Sequence, residues 1–252
     1  MINDRSNMSE DRAISPTEII RHLKLSRQMP DILRDIANQK IIEKTATEQK
    51  VTLSEQELQQ AANYFRLENN LFTSKDTWKW LEKHSLSVEE FEELIKSNAL
   101  SIKLAQHLFS DRVEAYFYEH QLDYTKAVIY EIVLTDFNLA MELFFGIQEQ
   151  EFSFWELAHE YIQDDELRRC GGYPGIMTRN QLKPEVSAAV FAANPPQILK
   201  PIAVDKCTHL IYVEEIIQPK LDRQLSYEII TQLFNNWLAS LALSNKLVKK
   251  MT

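Results

Sequence analysis

Glycine is nearly missing from this chain. Its 252 residues hold four, Gly146, Gly171, Gly172 and Gly175, where average usage would place about eighteen. A sequence that avoids the residue with the largest backbone entropy is built mostly of helix. Where glycine does gather, at Gly171–Gly175, the backbone must bend sharply or take positive φ. Cysteine is equally sparse. Cys170 and Cys207 alone exclude a disulfide framework and read as packing residues rather than redox partners. The histidines and cysteines show no metal-ligand spacing, so neither metal nor cofactor is expected. No apolar run approaches the ~20 residues that cross a bilayer. The net charge of −9 and pI near 5.3 exclude the concentrated basic surface that nucleic acid requires. The one basic run, Lys246 to Lys250, suits the end of a last helix. The polar N-terminus lacks the apolar core of a secretory signal. These absences lead us to expect a cytoplasmic protein with neither nucleic-acid nor membrane partner.

What is present is a globular composition, 44% hydrophobic and 26% charged, long enough to bury a full core. Residues 1–13 read as a flexible polar leader. Helix starts then recur: Ser15-Pro16-Thr17-Glu18, Ser54 to Glu57 and Ser87 to Glu90 are capping boxes, and Pro30 opens a helix through Ile41. A short helix is expected around Trp78, Trp80 and Leu81, and another segment over 111–121. Residues 14–122 thus form an all-helical lobe without strand signal. At Tyr124–Leu134 the pattern changes to a buried strand rich in β-branched and aromatic residues. Helices at 138–148 and from Ser153 to Tyr161 follow, then the glycine cluster. A helix at Pro184–Phe191 and strands at Ile198–Val204 and Thr208–Ile216 complete a small domain over 123–217. Residues 218–252 carry one long helix, Leu221–Lys249, with Leu225, Ile229, Leu233, Trp237 and Leu241 on one stripe. The fold class is α+β, a β-α-α-α-β-β domain joined to a helical lobe and closed by the terminal helix.

Five segments of the small domain occur in a recognisable order: Phe154-Trp155-Glu156-Leu157-Ala158, Gly171-Gly172-Tyr173-Pro174-Gly175, Arg179-Asn180-Gln181-Leu182, Val186 to Phe191, and Cys207-Thr208-His209-Leu210-Ile211. In layout and anchor residues this resembles the parvulin family of peptidyl-prolyl cis–trans isomerases. The helices before and after it are similar to the SurA/PrsA type of foldase. The resemblance implies an isomerase acting on Xaa-Pro bonds of unfolded polypeptide clients, without a cofactor. Asp164 takes the place of the family's active-site Asp or Cys beside the substrate carbonyl, and His209 that of the second of two central histidines. Glu131 stands where the first histidine is usual, placed to accept a hydrogen bond from His209. Leu182, Val186 and Phe191 match the proline slot, with Val186 replacing an aromatic residue, and Met177 and Pro174 border it. The connection Thr135-Asp136-Phe137-Asn138 lacks the basic loop of phosphate-directed members.

Other readings stand beside these. A parvulin shape with Glu131 and Val186 also fits a peptide-binding chaperone or adaptor with weak or lost activity. Asp164 alone, in Gln163-Asp164-Asp165-Glu166, reads as a solvated loop carboxylate. Trp78, Trp80 and Phe91 at near-helical spacing fit a core, or a cradle for unfolded peptide. The stripe on the last helix fits a lid on the helical lobe or a homodimer interface.

Overall fold

A computed structural model describes residues 14–244, with side chains through Leu241. The leader at 1–13 and the lysines at 246–250 lie outside the described residues. The chain divides into two compact units, one of residues up to 113 together with those from 227 onward, the other of residues 114–226.

The helical unit holds α1 (Pro16–Leu25), α2 (Met29–Glu48), α3 (Glu55–Glu68), α4 (Ser74–His84) and α5 (Val88–Phe109). Reciprocal capping boxes start four of these, at Ser15/Glu18, Ser54/Glu57, Thr73/Asp76 and Ser87/Glu90. Each satisfies amides that the first helical turn leaves unbonded and fixes where the helix begins. The core between α3, α4 and α5 is built on Leu81, Phe91 and Ile95. Phe65 meets Trp80 and Phe91 edge-to-face, at 5.3 and 5.5 Å between centroids. Trp80 and Phe91 are therefore packing residues, and of the proposed aromatic cradle only Trp78, 62% exposed, faces out. The terminal helix α12 (Arg223–Ser244) joins this unit from Tyr227. Its Ile229, Leu233 and Leu238 are buried, and Phe234 and Trp237 meet Phe109.

The second unit begins with α6 (Val113–Glu119) and α7 (Gln121–Tyr124), so the expected strand opens two residues late, as β1 (Lys126–Leu134). Then come α8 (Phe137–Gln148), α9 (Phe154–Tyr161), α10 (Asp165–Arg169), β2 (Ile176–Thr178), α11 (Pro184–Val190), β3 (Gln197–Ile198), β4 (Ile202–Val204) and β5 (Cys207–Ile217). The sheet is antiparallel in the order β2-β1-β5-β3, with β4 also on β5. The single strand expected at 198–204 is broken into β3 and β4, because Pro201 between them has no amide to donate. The three-residue β2 was not expected; it is too short to show alternation. Cys170 is exposed at the end of α10, which corrects its reading as a packing residue; Cys207 is half-buried, and both thiols are free.

One ion pair ties the helical unit together. Lys103 Nζ donates to Glu57 Oε1 at 2.5 Å and to the Thr52 carbonyl at 2.8 Å, linking α5 to the start of α3. This bond, with those from the Ser54 amide and hydroxyl, lowers the Glu57 carboxyl from 4.5 to about 2. A depressed folded-state pKa gives stability that is complete above the unfolded value and lost as pH falls through the folded one. Thermal unfolding should therefore show Lys103→Met melting below the parent at pH 7, with the gap closing between pH 4.5 and about 2.

Candidate active site

The pairing of β1 with β5 sorts side chains to two faces, since successive residues of a strand point in opposite directions. Ile132, Leu134 and Leu210 pack under α8 and α9 with Leu143, Leu157 and Ala158. On the other face Ile129, Ile211 and Val213 pack with Val186 and Val190 of α11. Glu131 and His209 belong to this second face by alternation. In the register Glu131 opposes Ile211 and Val133 opposes His209, which makes the two polar residues diagonal neighbours. A diagonal pair is within reach of long side chains. His209 Nδ1 and Glu131 Oε1 lie 2.6 Å apart, with the side chains 12% and 24% exposed. With Glu131 ionised, Nδ1 carries the hydrogen and donates it. His209 Nε2 is buried without a hydrogen-bond partner.

Around this pair the same face is apolar. Met177 on β2, Leu182 and Phe191 pack against its core. Val186 is only 2% exposed, so it lies under the surface as floor rather than standing as an open wall. Arg179 stacks its guanidinium over the Phe191 ring at 4.3 Å, which fixes the ring and brings a positive charge to the edge of the face. The sequence offered Arg179 only as part of a motif; a contact spanning twelve positions across α11 leaves no periodic signal.

The glycine cluster shapes the edge of the sheet. Gly171 and Gly172 have φ of 65° and 86°. A Cβ on Gly171 would meet the Trp155 ring at 2.0 Å, and one on Gly172 would come 2.8 Å from the Glu131 carbonyl oxygen. The close approach lets the Glu131 amide donate to the Gly172 carbonyl at 2.8 Å. From there the chain runs on into β2, where Met177 opposes Ala127. The bend therefore holds β1 at the residue that carries the carboxylate. Pro174 lies exposed on it.

Asp164 is exposed at the start of α10, where its Oδ1 accepts the Leu167 amide at 2.8 Å. The structure thus joins Glu131 directly to His209 and engages Asp164 as a helix cap. The β1–α8 connection is two residues long, and Asp136 caps α8 there through the Asn138 and Leu139 amides. No basic residue is part of it.

Residues 137–215 match the Rotamase family, the PPIC-type PPIase domain. This unit carries a PPIC-type rotamase domain. Beyond the match, the chain is similar to two PrsA foldases. That of Clostridium acetobutylicum is 28% identical over 111 residues, covering 41% of this chain and 33% of the relative. That of Caldanaerobacter subterraneus is 22% identical over 192 residues, covering 76% and 58%. The chain therefore spans between a third and just under three fifths of the curated relatives it matches. Among solved structures, a Bacillus cereus PrsA is 15% identical with a TM-score of 0.48, covering 96% of this chain and 90% of that one. Within the rotamase domain, Asp164, Pro174, Met177, Leu182, Val186, Phe191 and His209 fall inside the matched residues, while Glu131 precedes them.

The bend gives a direct test of this geometry. Gly172→Ala forces a side chain into positive φ and against the backbone of β1, at a cost of about 1–3 kcal/mol. Chemical denaturation should show that loss. Gly175→Ala, where an added Cβ meets nothing within 4 Å but φ is 110°, should suffer from backbone strain alone and lose less.

Proposed function

We propose that the unit of residues 114–226 accelerates cis–trans isomerisation of Xaa-Pro bonds in polypeptide clients, without preference for a phosphorylated residue before proline. The observation that carries this reading is the Glu131–His209 pair, 2.6 Å apart, on a sheet face lined by Met177, Leu182 and Phe191. The match to the PPIC-type domain supports it. Rotation about a prolyl bond faces a barrier of ~18–20 kcal/mol and takes tens of seconds unaided. Lowering it needs no covalent step. An apolar surface holds the pyrrolidine ring, and a desolvated, fixed arrangement of polar groups favours the twisted amide over the planar one. In this reading Leu182, Met177 and Phe191 receive the ring, His209 held by Glu131 forms the polar floor, and Asp164 supplies charge beside the carbonyl. The short β1–α8 turn offers a phosphate no cation.

The helical unit would hold extended polypeptide. Exposed Ile19, Ile20, Ile32, Ile36, Phe72 and Trp78 supply apolar surface for that role. A second reading, a peptide-binding chaperone or adaptor that has lost the catalytic step, is favoured by one feature. A carboxylate replaces the first central histidine and changes the field around the amide.

Exchange NMR on short Xaa-Pro peptides separates the two. The full chain should raise the exchange rate above the spontaneous value, with phospho-Ser-Pro no faster than Glu-Pro. Leu182→Ala should lower the catalysed rate about tenfold by removing part of the ring's contact. Asp164→Asn keeps an oxygen for the α10 cap and removes the charge; a fall of about tenfold is expected if the charge stabilises the twisted amide. No acceleration by the parent protein supports the binding reading instead.

A further inference from the structure

On the reverse face of the same sheet, behind the Glu131–His209 pair, three tyrosines form a row. Tyr130 of β1 opposes Tyr212 of β5, and Tyr173 follows the glycine whose carbonyl bonds β1. Their ring centroids are spaced 5.6 Å (Tyr130–Tyr173) and 6.1 Å (Tyr130–Tyr212). Phe154, the first residue of α9, closes the row at 6.4 Å from Tyr130 and 6.1 Å from Tyr212. All four rings are half-buried.

By strand alternation a carboxylate, that of Glu214, shares the face of Tyr212, at a place where the sheet is irregular. Val128 pairs with Glu215 but Ile129 with Val213, so Glu214 is one residue too many on β5. Glu214 keeps the face of Tyr212, two residues before it, and the alternation breaks only after it, at Glu215. Glu214 is exposed, and its carboxylate together with burial raises the Tyr130 phenol above its ordinary value. The phenol remains a donor at neutral pH, and the carboxylate keeps acceptor sites for a further partner.

We propose that this row of rings and the bulged Glu214 form a binding site for an organic cation, the lysine or arginine side chain of a bound polypeptide. Ring faces attract cations, and an adjoining carboxylate acts in the same sense. The positive end of α9 does not oppose this, because Ser153 and Glu156 already take up its first amides. Among the described residues, the cation–ring contacts are Arg112 on Phe109 and Arg179 on Phe191; neither involves this row.

The site is independent of the isomerase reading, since a probe without a prolyl bond addresses it. The full chain is titrated with N-acetyl-lysine methylamide, N-acetyl-arginine methylamide and N-acetyl-norleucine methylamide while the tyrosine ring resonances are followed by NMR. Saturable shifts of Tyr130 and Tyr212 with the two cations, absent with norleucine and reduced by added salt, are expected. Glu214→Gln, an exposed substitution, should weaken binding about fivefold without changing the melting temperature. Equal shifts with norleucine, no saturable shift with either cation, or unchanged affinity in Glu214→Gln would overturn the proposal. Should Glu214→Gln alter stability, the salt dependence decides in its place. A failure here leaves the prolyl-exchange result untouched.

Discussion

The antiparallel pairing of β1 with β5 is the constraint from which the second unit follows. Its register places Glu131 diagonally across from His209 and leaves Glu214 without a partner. Alternation then assigns Ile132, Leu134 and Leu210 to one core and Ile129, Ile211 and Val213 to the other. A slip of β5 by one residue would turn His209 away from Glu131 and exchange Leu210 with Ile211 between the two cores. The glycine bend guards against such a slip on the outer edge of β1. Only a residue without a side chain lets the chain approach Glu131 closely enough to bond its amide.

The pair itself has a cost and a use. Burying a carboxylate and an imidazole is unfavourable unless each satisfies the other, and a separation of 2.6 Å does so for one nitrogen of the ring. The second nitrogen is left buried without a partner, a state that folding alone does not favour. An unsatisfied polar atom beside an apolar face lined by Leu182, Met177 and Phe191 is the kind of local conflict that marks a functional surface. The rest of the sheet carries the stability that such a conflict consumes.

Much of this arrangement could be read before any coordinates. Capping boxes at Ser15, Ser54 and Ser87, with Ser153 as a helix cap, set helix starts by local chemistry, and local chemistry is legible in a sequence. The contact of Glu131 with His209, 78 positions apart, is expected only through the parvulin resemblance, which aligns both residues; the structure bonds the two. Other features were hidden for physical reasons. The helix α10 is five residues long and has no face of its own, so Asp164 looked like a loop residue rather than its cap. The short β2 depends on a neighbouring strand, and the stacking of Arg179 on Phe191 depends on how α11 brings the chain back. The bulge at Glu214 arises from pairing, and one strand alone does not display it.

Glu131 holds the His209 ring in one orientation through its bond to Nδ1. Long-range 15N–1H correlation of the His209 ring tests it most directly. Separate, sharp Nδ1 and Nε2 signals are expected, with Nδ1 protonated and hydrogen-bonded, and a marked change in Glu131→Ala. A single averaged signal from a freely exchanging ring, unaltered by that substitution, would contradict it.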